Sequence, residues 1–233
     1  MAAAVLLVLL AVADRAGAAL AARAVADELQ RSSALTSRPE VTVAGVPFLT
    51  QALRGRYERI DVTAADVPAG TVGGDELTLR SADVVLRGAR VPLSDALSGQ
   101  VTDVPVDRVD AVVVLPWAEL ARRAGDREVT LSPDGDRVRV RGEVRVLGQR
   151  LTASAVSRLT VEDGGITVQA EELDVGSGGV DRLLTRALQG RLDFRVDVGE
   201  LPFGLALDRV QVRQDGLSVR TRADDTVLSA RGR

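Results

Sequence analysis

The chain of 233 residues has no cysteine, histidine, lysine or asparagine, and only five aromatic residues: Phe48, Tyr57, Trp117, Phe194 and Phe203. Without thiol or imidazole there is no thiolate nucleophile, no imidazole base and no zinc site of the usual ligand set. Without lysine there is no Schiff base. Most enzyme templates fail on these grounds, no cofactor or metal is expected, and the chain reads as a non-enzyme. Carboxylate chemistry stays open, because 33 Asp and Glu residues are present and a glycosidase needs two. Sugar clefts, however, commonly stack rings on aromatic side chains, and the five here are scattered. A net charge of -3 and a pI of about 5.2 argue against nucleic acid as a partner, since a nucleic-acid surface has many phosphates to be neutralised by a basic protein face. All 30 basic residues are Arg, a bias that suits a high-GC genome as well as it suits any function. The lack of cysteine fits both a reduced cytosol and an exported protein without disulfides.

What is present is aliphatic. Val, Leu and Ala dominate the 45% hydrophobic fraction, so the interior has a smooth lining with few polar groups. Residues Ala2–Ala13, "AAAVLLVLLAVA", form an unbroken apolar run that rises about 18 Å as a helix, short of the roughly 30 Å hydrocarbon core. Alone it reads as the h-region of a signal peptide. Continued through Asp14 and Arg15 to Ala22 it is long enough to span, with both charges toward the outer interface. Ala16-Gly17-Ala18 offers an A-x-A cleavage site, whereas no basic residue precedes the run. Residues 1–22 are therefore expected to act as a signal peptide or membrane anchor, placing the rest on the outer, periplasmic side of the cytoplasmic membrane. Residues 23–37 continue as an amphipathic helix with an Ala-rich packing face (Ala18, Ala21, Ala22, Val25, Leu29), until "SSALTSRP" breaks it.

Residues 38–233 form one domain without an internal linker. Strand alternation is cleanest at "DRVRVRGEVRVLG", where Val138, Val140, Val144 and Val146 point one way and Arg137, Arg139, Arg141, Glu143 and Arg145 the other. It continues in "LTASAVSRLTVED" and "GITVQAEELDV", giving a three-stranded antiparallel meander. Similar segments along the chain predict nine to eleven strands, with hairpin turns at Asp134-Gly135 and Asp215-Gly216. Two helices interrupt them. "PWAELARRAG" spans Pro116–Gly125, and "GVDRLLTRALQG" spans Gly179–Gly190 with the apolar stripe Val180, Leu183, Leu184, Ala187 and Leu188.

Three stretches, "GVPFLTQALRGRYERIDVTAADV", "VDRVDAVVVLPWAELARRAG" and "LPFGLALDRVQVRQDGLSV", occur in this order. Together they resemble the signature of the LmeA-like family of actinobacterial cell-envelope phospholipid-binding proteins. The likeness covers nearly all of the chain after the N-terminal helix. It departs from the family's G-F-P-F-L-T-Q at Val46, where that motif has a second Phe. The resemblance implies an α+β fold, a long curved antiparallel β-sheet rolled around amphipathic helices as in tubular lipid-binding domains, enclosing an apolar groove. It also implies a link to lipoglycan assembly of the lipomannan type, with phospholipid, the membrane and a cell-envelope glycosyltransferase as partners.

The residues agree independently with a lipid-binding interior. A many-stranded amphipathic sheet closed by aliphatic helices encloses the kind of surface an acyl chain prefers. Burial of a sixteen-carbon chain contributes about 13 kcal/mol, at roughly 0.8 kcal/mol per CH₂, whereas an Arg contact to a headgroup adds about 1 to 3 kcal/mol. Chain burial dominates and Arg residues orient the head. The candidate lining is Val46, Phe48, Leu49, Val180, Leu183, Leu184, Leu188, Leu201 and Phe203, and the candidate headgroup stripe is Arg137, Arg139, Arg141 and Arg145. Two readings of Val46-Pro47-Phe48-Leu49 and Leu201-Pro202-Phe203 remain. They are apolar elbows at a groove mouth or membrane edge, or Pro-fixed corners whose Phe plugs the core; the second is the commoner use of such a residue. The Arg stripe has its own plain reading as a solvated strand face. Asp134-Gly135-Asp136 and Asp163-Gly164-Gly165 read as turns and not calcium loops, and Gly73-Gly74 lacks the lysine of a phosphate loop. Two alternatives to lipid binding remain open: a carboxylate-dependent glycolipid hydrolase, and a non-catalytic scaffold that docks an envelope enzyme.

Overall fold

The computed structural model describes residues 1–32, 35–72, 75–98, 101–122, 129–146, 149–162, 165–175, 194–197 and 205–229. A single unbroken helix, α1 (Ala2–Ser32), leads into β1 (Glu40–Ala44), a short helix α2 (Phe48–Arg54), and the two longest strands, β2 (Arg56–Val72) and β3 (Asp75–Arg90). Then come α3 (Leu93–Ser98), β4 (Asp103–Leu115), α4 (Trp117–Arg122), β5 (Val129–Asp134), β6 (Arg137–Val146), β7 (Gln149–Glu162), β8 (Gly165–Val175), β9 (Phe194–Asp197), β10 (Ala206–Arg213) and β11 (Gly216–Ser229). The α+β class and antiparallel build expected from sequence are present, with the strands divided between two sheets. One has the order β1-β2-β3-β4-β11-β10, the other β5-β6-β7-β8-β9. The β6-β7-β8 meander and the hairpin turns after Asp134 and Arg213 fall where alternation and the Asp-Gly pairs place them. The helix expected over Gly179–Gly190 lies outside the described residues.

Two apolar clusters hold the sheets and helices together. In the first, Ala18, Ala21 and Ala22 of α1 lie against Val43, Phe48, Tyr57, Ala89 and Val106. A helix face made of Ala lets its backbone approach the sheet closely, which is why this face needs no larger side chains. In the second, Ile166 of β8 meets Leu217 and Val219 of β11, with Trp117 and Leu120 of α4 packed alongside, so β8 of one sheet is joined to β11 of the other. Trp117 also donates its indole N–H to the Arg213 carbonyl at 3.2 Å.

The larger sheet is creased. In β3 the core side chains are Val84 and Leu86, then Ala89; in β4 they are Val104 and Val106, then Val109; in β11 they are Leu217 and Val219, then Leu228. Each strand changes from one parity to the other at a single level. Register fixes that level, because Arg87 pairs with Arg108 and Arg108 with Asp224. The next residues along are Gly88, Asp107 and Asp225, and Gly88 and Asp225 are left-handed, with φ of 66° and 48°. One left-handed residue advances the pleat by one position, so the side chains beyond it swap faces and the sheet bends there.

The opposite face of this sheet carries an ion-pair lattice. Asp107 accepts from Arg56 and Arg90, Asp110 from Arg87 and Arg222, and Asp224 from Arg108. Burial alone would push the Asp110 carboxyl up, but the hydrogen bonds from Arg222 and Arg87 outweigh it and hold the group below its ordinary value of 3.8. A depressed carboxylate pKa contributes stability that is present above the unfolded value and lost as pH falls through the folded one. Unfolding midpoints followed downward from neutral pH should therefore fall once pH drops below about 4. Asp110→Asn should flatten that part of the curve. An acid limb that is identical in both proteins would assign the acid sensitivity to other carboxylates.

Candidate functional site

The segment Gly45–Gln51 is a small structural unit. Gly45 has φ of 101°, and a side chain there would collide with the Gln51 amide. Gln51 is buried and works at both ends: its Nε2 donates to the Ala44 carbonyl at 3.3 Å, and its Oε1 accepts from Glu58 N–H at 2.8 Å. It thereby ties the end of β1 to the start of β2. Val46–Pro47 is a cis bond, and Phe48 opens α2 with its ring in the core, 5% exposed, 6.2 Å from the Tyr57 ring centroid and against Gly17 of α1. Phe48 is the plug of the two readings. Its neighbours are not: Val46, Leu49 and Leu53 are 76%, 41% and 78% exposed.

Asp14, which the sequence places toward a membrane interface if the helix spans, has structural partners in the fold. It is buried, its Oδ1 accepts from Leu49 N–H at 2.8 Å, and its Oδ2 pairs with Arg15 at 2.6 Å. Arg15 also donates to the Gly45 carbonyl at 3.2 Å. The first turn of α2 has no cap from its own Pro47, so a carboxylate from another helix satisfies one of its free N–H groups. The aspartate at the end of an apolar run was visible in the sequence, but its α2 partner was not, because α2 itself was not anticipated. Beyond Asp14 toward the N-terminus, Val5–Leu10 and Val12 stand exposed. Residues Ala3–Arg31 are long and apolar enough to cross a membrane.

The remaining sequence candidates fall into separate places. Val180, Leu183, Leu184, Leu188, Leu201 and Phe203 lie outside the described residues. Arg137 pairs with Glu172 at 3.1 Å and Glu171 at 3.4 Å, and Arg139 with Asp134 at 2.6 Å. Arg141 is exposed and pairs with no described residue, and Arg145 sits opposite Arg150 in the β6-β7 ladder. Two members of the stripe are thus held by carboxylates and one is open to solvent. Glu171 is held below the usual carboxylate range by hydrogen bonding to Arg158 first and Arg137 next. Two surface clefts are lined by described residues. One, of about 380 Å³, lies beside α2 and is lined by Leu53, Arg54, Arg56, Arg90, Pro92 and Leu93; the other lies on β10 and β11 around Leu207 and Arg222. No group of three or more metal-type ligands comes together among the described residues.

An antiparallel α+β body of two sheets with a largely aliphatic core, led by a helix long and apolar enough to cross a membrane whose second half packs on that body, defines the class of fold. A family model described as LmeA-like phospholipid-binding matches residues 12–222, and the chain belongs to that family. The match takes in Asp14, the Gly45–Gln51 unit and both sheets up to the first half of β11, and it supports phospholipid binding. A comparison with curated proteins gave no match.

Proposed function

We propose that this chain is a cell-envelope protein, held at the outer side of the cytoplasmic membrane by the apolar part of α1, that binds phospholipid by burying acyl chains against its aliphatic interior. The observation that carries the reading is a core in which Val, Leu, Ile and Ala predominate around Phe48, Tyr57 and Trp117, in a chain of a phospholipid-binding family. Val180, Leu183, Leu184, Leu188, Leu201 and Phe203 complete the lining in this proposal, and the open Arg141 orients the headgroup together with Arg145. The bound lipid serves lipoglycan assembly of the lipomannan type, presented to a cell-envelope glycosyltransferase. Retention of α1 as an anchor is supported by Asp14, Gly17 and Ala18, because cleavage after Ala18 would remove the acceptor that caps α2 and the wall against which Phe48 packs.

Full-length chain purified in mild detergent and extracted with organic solvent is expected to yield about one equivalent of phospholipid per chain. Competition by phospholipids of decreasing chain length should weaken by roughly fourfold per methylene removed, the factor that corresponds to about 0.8 kcal/mol. Salt should matter little, since exposed ion pairs are screened and weak. Loss of binding between low and high salt with no dependence on chain length would overturn the groove and favour surface recognition through the Arg137–Arg145 strand.

A further inference from the structure

Large apolar side chains exposed outside α1 are few. Among the described residues they are Val46, Leu49, Leu53 and Val227, and three of the four fall within eight consecutive positions. Leu49 and Leu53 are one helical turn apart on α2, and Val46 precedes them at the corner, so the three form one apolar edge. Its position is specific. Leu49 donates its N–H to Asp14, and its side chain lies against Gly17, so the edge begins where the exposed part of α1 leaves the body. No linker intervenes, because α1 is continuous through Ala13 and Asp14. A bilayer that takes up Ala2–Ala13 is thereby brought level with Asp14, and Leu49 comes to its surface with it.

The charge next to this edge has the sign a phosphate-rich surface attracts. Arg54, in the last turn of α2, is exposed and makes no ion pair among the described residues. The adjoining cleft adds Arg56 and Arg90, which share one carboxylate, Asp107. The cleft lining itself holds three guanidinium groups and no carboxylate, with Leu53 and Leu93 beside them, so the rim on the Leu53 side is cationic, while Glu58 lies at the other end of the edge, beside Gly45. An apolar row flanked by Arg is the composition of a segment that lies in the interfacial zone of an anionic membrane.

We propose that Val46, Leu49 and Leu53 are a second lipid contact, distinct from the acyl-chain interior: α2 lies on the surface of the bilayer that receives α1, with Arg54 at the level of the lipid phosphates. This holds the body in one orientation on the membrane and not on a free tether. The inference rests on the anchor reading above, and the test separates the two. Because the chain has no cysteine, single nitroxide labels can be placed on full-length protein through Leu7→Cys, Val46→Cys, Leu53→Cys and, as a reference in water, Gln211→Cys. The proteins are reconstituted in vesicles of equal parts phosphatidylcholine and phosphatidylglycerol. Collision with oxygen, which partitions into lipid, is compared with collision with a water-soluble nickel chelate.

The oxygen-to-nickel ratio at Val46 and Leu53 is expected to be several-fold above that at Gln211 and below that at Leu7. A lipid-like ratio at Leu7 with Val46 and Leu53 matching Gln211 would overturn the edge and leave the anchor standing. A water-like ratio at Leu7 as well would overturn both. Labels at Val46 and Leu53 shielded from both agents would mean that protein covers the edge, either a second copy or a partner, which also overturns the proposal. Arg54→Glu, a surface change, should lower the ratio at Leu53 in these anionic vesicles. An unchanged ratio would remove Arg54 from the contact.

Discussion

Phe48→Ala is expected to destabilise the full-length chain by about 3 to 5 kcal/mol, the range found when a buried aromatic side chain is truncated. The ring is 5% exposed, rests on Gly17 of α1 and faces Tyr57 across 6.2 Å. Its removal opens a cavity at the junction of α1, α2 and β2, where α2 is held to α1 by the Leu49 N–H to Asp14 hydrogen bond. Val46→Ala, two residues away but 76% exposed, should stay within about 0.5 kcal/mol of the parent. Chemical unfolding of both variants in detergent micelles measures the contrast. A small effect at Phe48 would mean that α1 does not rest on the sheet through this ring, and the argument for a retained anchor would lose its main contact.

That contrast bears on how much of the molecule the residues disclose by themselves. Strand alternation located β6, β7 and β8 because a period of two runs through most of each strand, broken in β7 only where the register shifts between Val156 and Ser157. Composition disclosed an aliphatic interior for the same reason, since it requires no knowledge of which strand faces which. The Phe beside a Pro could be read as a plug, yet α2 was missed. A seven-residue helix that begins at Phe48, with no capping side chain of its own, leaves no local signal when its cap is contributed by Asp14, 35 positions earlier. Asp14 itself looked like a charge seeking water, and its burial depends on a partner that only the fold supplies. The exposure of Val46, Leu49 and Leu53 was equally hidden, because an apolar residue in sequence carries no mark of being left outside.

The crease in the larger sheet was hidden for a different reason. The core side chains of β3, β4 and β11 change parity across Gly88, Asp107 and Asp225. Read across the whole strand the pattern looks weak, because a change of face midway cancels the alternation on its two sides. The physical cause is a single left-handed residue in each of β3 and β11, and in β3 that residue is a glycine.

Gly88→Ala therefore tests the crease, and Gly135→Ala is its natural control. Both glycines have φ of 66°, so each substitution costs about 1 to 2 kcal/mol for placing a side chain in the left-handed region. They differ only in surroundings. Around Gly135, in the turn between β5 and β6, a new Cβ meets nothing within 4 Å. At Gly88 it would overlap the Asp107 carboxylate and approach Asp107 Cβ to 2.9 Å, so rotating the carboxylate aside does not relieve the contact. The strands must separate, or Asp107 must release Arg56 and Arg90. Overpacking of this kind adds about 1 to 3 kcal/mol, giving a total of roughly 2 to 5 kcal/mol at Gly88 against about 1 to 2 kcal/mol at Gly135. Parallel unfolding curves for the two variants give the difference directly. Equal losses would show that Gly88 supplies only its backbone conformation and that the sheet bends without close packing at this level. A larger loss at Gly88 would locate the bend at the contact between its backbone and Asp107, where three adjacent strands change face together.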